Sequence, residues 1–318
     1  MKIASSLKFA ERSREGALTI GESLSIIKNA GFVGVEVDLS RGIGGAALAS
    51  DGWETEIAAI REAAEEAGLE IVSAHAPHNP KLYIPETAPT AEERAEFDKL
   101  LLRSAKAAAI LGAKILVVHP VDDLINGEYD SEVNIKTNLS YLEAVTAEAK
   151  SLGITVAVEN VYYSSEYRLR RRYGESAEEV ITLADALGAT VCWNCGHAHP
   201  VTMDQARAIE KIGVRLSLLH LSDSRGHTDA GLPPMIGGGN IKWETIMPAV
   251  ARIGFDGYAV LQADQYLTNM PKALQKDAAE FAGTVCRRLV ELYENAKCKV
   301  QNEGRFSRVA RKSNRVII

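Results

Sequence analysis

The sequence predicts an α/β protein folded as a single (β/α)8 barrel. Short runs rich in valine and isoleucine alternate with longer segments of helical periodicity, which is typical of a parallel sheet whose strands are connected by helices. Eight strand runs occur in this alternation. Two Rossmann-like halves are the main alternative, but no Gly-x-Gly-x-x-Gly follows the first run and no shift in composition marks a linker.

The strand candidates follow one another in order along the chain. They are Ile3 to Ser6, Phe32 to Leu39, Glu70 to His75, Lys114 to His119, Thr155 to Val161, Thr190 to Trp193, Arg215 to Leu221 and Tyr258 to Leu261. Eight units of strand and helix need about 250 residues. The chain has 318 residues, so it accommodates eight units together with loop insertions.

The segments between the strand runs are predicted to be helices. In one of them apolar residues recur every three or four positions before Gly153, namely Leu139, Leu142, Val145, Ala149 and Leu152. Another matches a capping box, in which Ser176 and Glu179 each bond the other's free backbone N–H. Seven glycines stand where a helix is expected to end in a left-handed residue: Gly31, Gly68, Gly112, Gly153, Gly188, Gly213 and Gly254.

The repeating pattern fills one predicted domain, residues 1–295, and a polar basic tail follows it at residues 296–318. Five basic side chains crowd the tail, namely Arg305, Arg308, Arg311, Lys312 and Arg315. We expect this tail to be mobile or to pack on a neighbouring subunit. A nucleic-acid role for so short a run is not expected.

Composition and charge narrow the possible functions. The chain is 46% apolar, 25% charged and 6% aromatic, which is typical of a soluble globular protein. Its 36 Lys and Arg against 42 Asp and Glu give a net charge of -6, so it offers no cationic surface for nucleic acid or for a membrane. A small polar substrate is the expected partner. We expect a cytoplasmic protein, since no cationic and apolar leader opens the chain.

The four cysteines agree with a reducing compartment, because they are too few to staple a fold of this size. Cys192-Trp193-Asn194-Cys195 matches the C-x-x-C pattern, but no second pair at zinc-finger spacing follows it. The run before the pair is predicted to be a buried strand, so we expect no redox or zinc role for it.

Polar side chains stand at the ends of six successive strand candidates. In a barrel of this kind the active groups lie at the carboxyl ends of the strands. Each of the six can bind a metal or exchange a proton: His75, His119, Glu159, Asn194, His220 and Gln262. All six are expected to converge on one mouth. Glu159 is the most informative, because a carboxylate at the end of an apolar strand needs a cation, hydrogen-bond donors or a raised pKa.

Several short motifs, in this order and at these strand ends, resemble the xylose isomerase-like TIM-barrel superfamily of sugar isomerases and epimerases, which also includes endonuclease IV. The resemblance covers about residues 1–295. The motifs are Val35-Glu36, His75-Ala76-Pro77, His119-Pro120, Glu159-Asn160, Gly196-His197, His220-Leu221-Ser222-Asp223, and Gly237-Gly238-Gly239-Asn240-Ile241 before Trp243. The resemblance implies a barrel fold, a sugar or sugar derivative as substrate, and a homodimer or homotetramer.

The resemblance also implies a divalent ion, manganese first, with cobalt, magnesium or zinc as alternatives. In the sugar epimerases of the superfamily the ion is held by Glu, Asp, His and Glu from strands five to eight. The matching positions here are Glu159, Asn194, His220 and Gln262. Two carboxylates are thus replaced by neutral amides, which removes two negative charges and is expected to weaken metal binding.

The same replacements bear on the mechanism. The epimerases of the superfamily resemble two-base enzymes, in which carboxylates of strands five and eight face opposite sides of a substrate carbon next to a carbonyl. Gln262 cannot accept a proton. Glu159 is therefore the predicted base, with His197 or Asp264 as the opposing acid. A lyase is as easy to accommodate as an isomerase or epimerase.

Further residues are predicted to contact the substrate. His75 and His119 are expected to donate to sugar hydroxyls, with Glu36 and Arg225 as additional contacts. Arginines after strand five, Arg168, Arg170, Arg171 and Arg172, would pair with a phosphate or carboxylate if one turned inward, although such runs are usually solvated. The proline-rich stretch from Asn79 to Ala91 is predicted to form a lid.

Three hypotheses follow. The first is a metal-dependent sugar isomerase, epimerase or related lyase. The second is a barrel that binds a sugar or a partner subunit without catalysis, which Asn194 and Gln262 would suit. The third is a mononuclear zinc hydrolase that uses His75 and His119. A trinuclear phosphodiesterase is not expected, because the Asp-x-His of endonuclease IV is matched by Gly231 and Pro233.

Overall fold

A computed structural model describes residues 1–79, 89–122, 129–161, 171–202, 204–226, 231–235 and 238–313, with side-chain surroundings up to residue 302. Its centre is a closed barrel of eight parallel strands, each paired with the next and the last paired with the first. The barrel strands are β1 (Lys2–Ser6), β2 (Gly34–Asp38), β3 (Glu70–His75), β4 (Ile115–Val118), β5 (Thr155–Glu159), β6 (Thr190–Asn194), β7 (Leu216–Leu221) and β8 (Tyr258–Leu261). The predicted fold class is confirmed, and each of the eight predicted strand runs overlaps a barrel strand.

Helices connect the strands around the barrel. They are α1 (Ile20–Asn29), α2 (Gly42–Ala49), α3 (Trp53–Glu66), α4 (Ala91–Leu111), α5 (Ser131–Ser151), α6 (Ala177–Leu187), α7 (Cys195–Ala198), α8 (Gln205–Ile212), α9 (Trp243–Arg252), α10 (Asp264–Thr268) and α11 (Lys272–Ser313). A small antiparallel hairpin, Arg12–Ser13 with Gly16–Ala17, follows β1. None of the helices within the described ranges combines the length and the apolar character that crossing a membrane requires.

The predicted helix ends agree with the structure. All seven glycines expected to follow helices have a positive φ, between 58° and 90°. Gly112 and Gly188 are the left-handed caps of α4 and α6, a conformation in which a Cβ would be strained. At the start of α6 the Ser176 hydroxyl accepts the backbone N–H of Glu179, as predicted. The other half of the predicted capping box does not form, since the Glu179 carboxylate accepts from the backbone N–H of Gly174 and from the Arg171 guanidinium and not from the backbone N–H of Ser176.

The last helix crosses the predicted domain boundary. α11 runs without interruption from Lys272 to Ser313, so the residues after Ala296 continue the helix that packs on the barrel. It packs against α9 and α1, and its buried residues include Cys286, Leu289 and Tyr293. The division of the chain at residue 295 therefore corresponds to no break in secondary structure, and the packing of the tail on a second subunit stays a prediction.

An inner layer of side chains closes the barrel below its mouth. It consists of buried residues from seven strands: Ala4, Val72, Val117, Ala157, Cys192, Leu218 and Val260. Side chains two residues apart in a strand point to the same face. The residues two positions after five members of this layer are His119, Glu159, Asn194, His220 and Gln262. The apolar layer thus forms the floor on which the predicted site residues stand.

Glu11 joins the loop after β1 to the start of α2. Its carboxylate accepts the backbone N–H of Ile43 at 3.2 Å, and it lies against Gly42, where a Cβ would overlap the carboxylate. Glu11 is 7% exposed, and burial raises its pKa to about 7. The carboxyl group is therefore protonated in the folded protein at a pH where it is ionised in the unfolded chain.

We expect Glu11→Gln to remove a part of the pH dependence of stability. Because the folded-state pKa is raised from 4.5 to about 7, wild-type stability falls as the pH rises from about 4.5 to above 7, by roughly 2 to 3 kcal/mol from this group. Urea unfolding at pH 5 and pH 8 measures the change for both proteins. An equal change in wild type and variant would contradict the assignment.

Candidate active site

Glu159 is the centre of a buried polar cluster at the mouth of the barrel. Its side chain is fully buried, and each carboxylate oxygen accepts two hydrogen bonds. The Oε2 atom accepts from His75 Nε2 at 3.0 Å and from His119 Nε2 at 2.7 Å. The Oε1 atom accepts from His220 Nδ1 and from Asn194 Nδ2, both at 2.8 Å. The donors predicted for this strand-end carboxylate are therefore present.

His220 lies between two carboxylates. Its Nδ1 faces Glu159, and its Nε2 lies 3.1 Å from Glu36 Oε2. An ionised carboxylate has no proton to donate and can only accept, so both ring nitrogens of His220 carry protons in this arrangement. The Glu36 carboxylate also accepts hydrogen bonds from the Ser73 hydroxyl at 2.6 Å and from the Gln262 amide at 2.8 Å. The sequence places Glu36 among the substrate contacts, but at 1% exposure it faces this internal network instead.

The orientation of the Asn194 amide follows from its hydrogen bonds. Its Oδ1 accepts the backbone N–H groups of Gly196 and His197, at 3.0 and 3.1 Å, and so caps α7. The Nδ2 group must then face the other way, toward Glu159 Oε1 and Gln262 Oε1, the latter at 3.1 Å. Gln262 in turn donates to Glu36. Both amides therefore present N–H groups to the site carboxylates.

The charges of this network balance. Burial opposes ionisation of Glu159 and Glu36, but the neighbouring histidines outweigh it: the pKa of Glu159 lies well below its usual range and that of Glu36 falls to about 2. Burial also opposes the charged form of His220, yet Cys192 and the two carboxylates raise its pKa well above the usual value. Glu159 in the same way outweighs burial and raises the pKa of His75 to about 9. Two carboxylates thus face two imidazolium groups.

His75, His119 and Glu159 form a group that could hold a divalent ion. Their ligand atoms, two Nε2 and one Oε2, lie 2.7 to 3.2 Å from one another. Two atoms that each bind one ion at about 2.0 to 2.2 Å lie at such separations. His75 Nδ1 faces the Ala76 carbonyl oxygen at 3.0 Å, so a neutral His75 carries its proton on Nδ1 and presents the lone pair of Nε2. This donor set fits a metal ion.

The four residues expected from the superfamily are also brought together, but their donors are arranged differently. Asn194 and Gln262 present N–H groups where oxygen ligands are needed, and His220 has a proton on both nitrogens. A second group, Glu159 with Cys192 and His220, is fully buried, and burial raises the pKa of the Cys192 thiol to about 12. Neither set offers an imidazole or thiolate lone pair in this arrangement, and His75 and His119, which donate to Glu159 through Nε2, must likewise release those protons before an ion binds.

His197 stands beside the histidine cluster. Its Nδ1 lies 2.9 Å from the backbone carbonyl oxygen of Asn160, which can only accept, so the proton of a neutral ring lies on Nδ1 and the lone pair on Nε2. The ring centre lies 5.9 Å from that of His119, and Nδ1 is 3.6 Å from Glu159 Oε1. The structure therefore places this predicted acid next to Glu159.

The other predicted contacts occupy the rim. Asp264 begins α10 and pairs with Lys8 at 2.7 Å, and Lys8 also pairs with Asp38 at 3.0 Å. Arg225 is exposed, and its Nε donates to the carbonyl oxygen of Gly238 at 2.8 Å. Sequence reasoning missed Lys8, although its position just after β1 places it among the strand ends.

Two of the four arginines after β5 pair with carboxylates of the chain itself. Arg171 lies 2.7 Å from Glu179, and Arg172 lies 2.9 Å from Asp122. These ion pairs fix the loop before α6 and favour the solvated, structural interpretation of these two residues. Arg168 and Arg170 lie outside the described residues, as do residues 80–88 of the predicted lid.

Sequence reasoning also missed the hydrogen-bonding residues behind the site. Ser73 holds Glu36, and the Asn160 side chain exchanges two bonds with the backbone of Asn194. His78 packs 5.1 Å from His119 and 6.1 Å from His75, ring centre to ring centre. Of these residues, only Ser73 could have been recognised as inward-facing, because it lies two residues before His75 in β3.

Similar solved structures share this fold across almost their whole length. A D-tagatose 3-epimerase-like protein is 22% identical with a TM-score of 0.70, covering 93% of this chain and 99% of that one. A D-psicose 3-epimerase in the presence of D-fructose is 17% identical with a TM-score of 0.67, covering 91% and 99%. The apo form of 3-keto-D-glucoside 4-epimerase from E. coli is 18% identical with a TM-score of 0.64, covering 89% and 99%. At these identities the likeness shows the fold.

The family assignment rests on the sequence. No curated protein sequence is significantly similar to the chain. The family model described as xylose isomerase-like TIM barrel matches residues 24–283, which span β2 to β8 and include the Glu159 cluster. That match covers most of the chain. The protein therefore belongs to the xylose isomerase-like TIM-barrel family.

Proposed function

We propose that the protein is an epimerase or isomerase of a sugar or sugar derivative that removes a proton next to a carbonyl group with the help of a divalent ion. The observation that carries this proposal is the His75, His119 and Glu159 cluster, whose three ligand atoms meet at the barrel mouth. The sugar epimerases among the similar structures support the substrate class.

We place the ion on His75, His119 and Glu159 in preference to the set Glu159, Asn194, His220 and Gln262. A bound divalent ion would polarise the carbonyl and hydroxyl oxygens of the substrate. The amide groups of Asn194 and Gln262 instead fix the Glu159 and Glu36 carboxylates. Manganese, cobalt and zinc all suit two imidazoles and one carboxylate, whereas magnesium prefers oxygen ligands.

We assign the proton transfer to His197. Glu159 accepts four hydrogen bonds, and its lowered pKa makes it a weak base, so it serves better as a ligand. The lone pair of His197 Nε2 belongs to a ring that is oriented by the Asn160 carbonyl and lies beside His119. Asp264, which follows β8 and pairs with Lys8, is the second candidate for this role.

The test follows hydrogen exchange with solvent. The chelated protein, and the protein reloaded with Mn²⁺, Co²⁺ or Zn²⁺, are incubated in D2O with a panel of ketoses, keto-glycosides and sugar acids. We expect deuterium to enter at the carbon next to the carbonyl only after reloading, and elemental analysis to find about one ion per chain. No exchange with any ion would contradict the proposal.

The second candidate function is a barrel that binds a sugar without catalysis. The hydrogen bonds already made by the Glu159 and Glu36 carboxylates favour it. Every oxygen of Glu159 and Glu36 accepts a hydrogen bond from the chain itself. This candidate predicts that a sugar binds in calorimetry while no deuterium is incorporated and no ion is retained.

A further inference from the structure

A rim of the mouth carries a guanidinium group whose charge is not balanced by any carboxylate in the described part of the chain. Arg41 follows β2 and is exposed, and its Nη2 lies 3.4 Å from His78 Nε2. Among the described residues no carboxylate lies within ion-pairing distance of this guanidinium. The other described cations of the rim are engaged: Lys8, Arg171 and Arg172 pair with carboxylates, and Arg225 donates to a backbone carbonyl.

The partner of Arg41 is a neutral imidazole. A guanidinium only donates, so His78 accepts at Nε2 and carries its proton on Nδ1, which faces the Ser40 hydroxyl at 3.2 Å. The ring therefore orients Arg41 without neutralising it.

The backbone holds this rim in place. Asp38, the last residue of β2, accepts the backbone N–H groups of Ser40 and Arg41 at 2.6 and 3.2 Å. The Ser40 hydroxyl in turn accepts the backbone N–H of His78 at 3.3 Å. The loops after β2 and β3 are thus tied together, and the His78 ring contacts Arg41 and also packs near His119 and His75.

From this geometry we infer that Arg41, oriented by His78, binds an anionic group of the substrate, a carboxylate or a phosphate at the end of a sugar chain. The inference rests on the proposed function only for the location of the sugar in the mouth. An arginine fork recognises both anions through paired hydrogen bonds, and the Glu159 and Glu36 charges already have cationic partners.

Calorimetric binding of three six-carbon probes tests the inference without turnover. They are D-gluconate, D-sorbitol 6-phosphate and neutral D-sorbitol. We expect the wild type to bind at least one anion about 10-fold or more tighter than sorbitol. Arg41→Gln is expected to abolish this preference and leave sorbitol binding unchanged. Arg41→Lys is expected to keep part of it, because it keeps the charge but not the fork.

Arg61→Gln is the matched control, since Arg61 is an exposed arginine of α3 paired with Glu65. It is expected to behave as the wild type. The inference is overturned if the wild type shows no preference for either anion, or if Arg41→Gln retains the preference. Gluconate preferred over the phosphate assigns a sugar acid, and the reverse assigns a sugar phosphate. Anion binding that depends on Arg41 without deuterium exchange would refute the proposed function and leave this inference standing.

Discussion

Glu159→Gln is expected to abolish metal retention and to lower turnover by about 1,000-fold or more. The substitution keeps the shape of the side chain but removes the anion that faces three histidines and would complete the ligand set. An amide oxygen is a weak ligand, and an amide nitrogen is none. Elemental analysis after gel filtration and the deuterium assay measure the two losses.

The same variant is expected to remain folded but to lose about 3 kcal/mol of unfolding free energy. The protonated His220 would keep only Glu36 as an ionic partner, and an unpaired buried charge is costly. Circular dichroism and urea unfolding check this. Glu178→Gln is the control. Glu178 is an exposed carboxylate on α6 that pairs with Lys211 on α8, and its substitution should change neither metal content nor turnover. A Glu159→Gln protein with wild-type metal content and activity would refute the central role of Glu159.

The strands and the helix ends could be predicted from sequence because they depend on local patterns. Runs such as Glu70–His75 are apolar and short, and the glycines that end the preceding helices need a positive φ wherever they occur. The rule that active groups stand at strand ends then placed His75, His119 and Glu159 on one face before any contact was known.

The partners within the site could not be predicted, because they depend on which side chains meet across the barrel. Glu36 and His220 are 184 positions apart, and nothing in β2 indicates that its glutamate reaches β7. The orientation of Asn194 depends on the short helix α7. Two backbone N–H groups of this helix donate to Asn194 Oδ1, which is the atom that a metal ion would need as a ligand. From the motif alone, the Asn194 amide is expected to be a weak metal ligand. Its hydrogen bonds show instead that it donates to Glu159 and holds that carboxylate in place.

Asn194→Asp tests this interpretation, since it restores the carboxylate found in the sugar epimerases that the sequence resembles. Without metal, an anionic oxygen would replace the Nδ2 group 2.8 Å from Glu159 Oε1 and 3.1 Å from Gln262 Oε1. Two hydrogen bonds become repulsive contacts in a buried site, and like carboxylates so close cannot both ionise without cost. We expect the chelated variant to be about 2 to 4 kcal/mol less stable than the wild type in urea unfolding.

A divalent ion is expected to reduce the stability difference between Asn194→Asp and the wild type. A second carboxylate next to Glu159 raises the affinity for the cation, and the bound cation relieves the repulsion between the two carboxylates. Unfolding in millimolar Mn²⁺ against unfolding in chelator measures the recovery. Asn138→Asp is the matched control, since Asn138 is also a buried amide, and its NH2 group bonds the backbone carbonyls of Val121 and Asn134 and not the Glu159 carboxylate. It should lose stability with no recovery specific to Mn²⁺. An Asn194→Asp protein as stable as the wild type in chelator would show that the amide does not hold Glu159, and the ion would then belong on the β5 to β8 set.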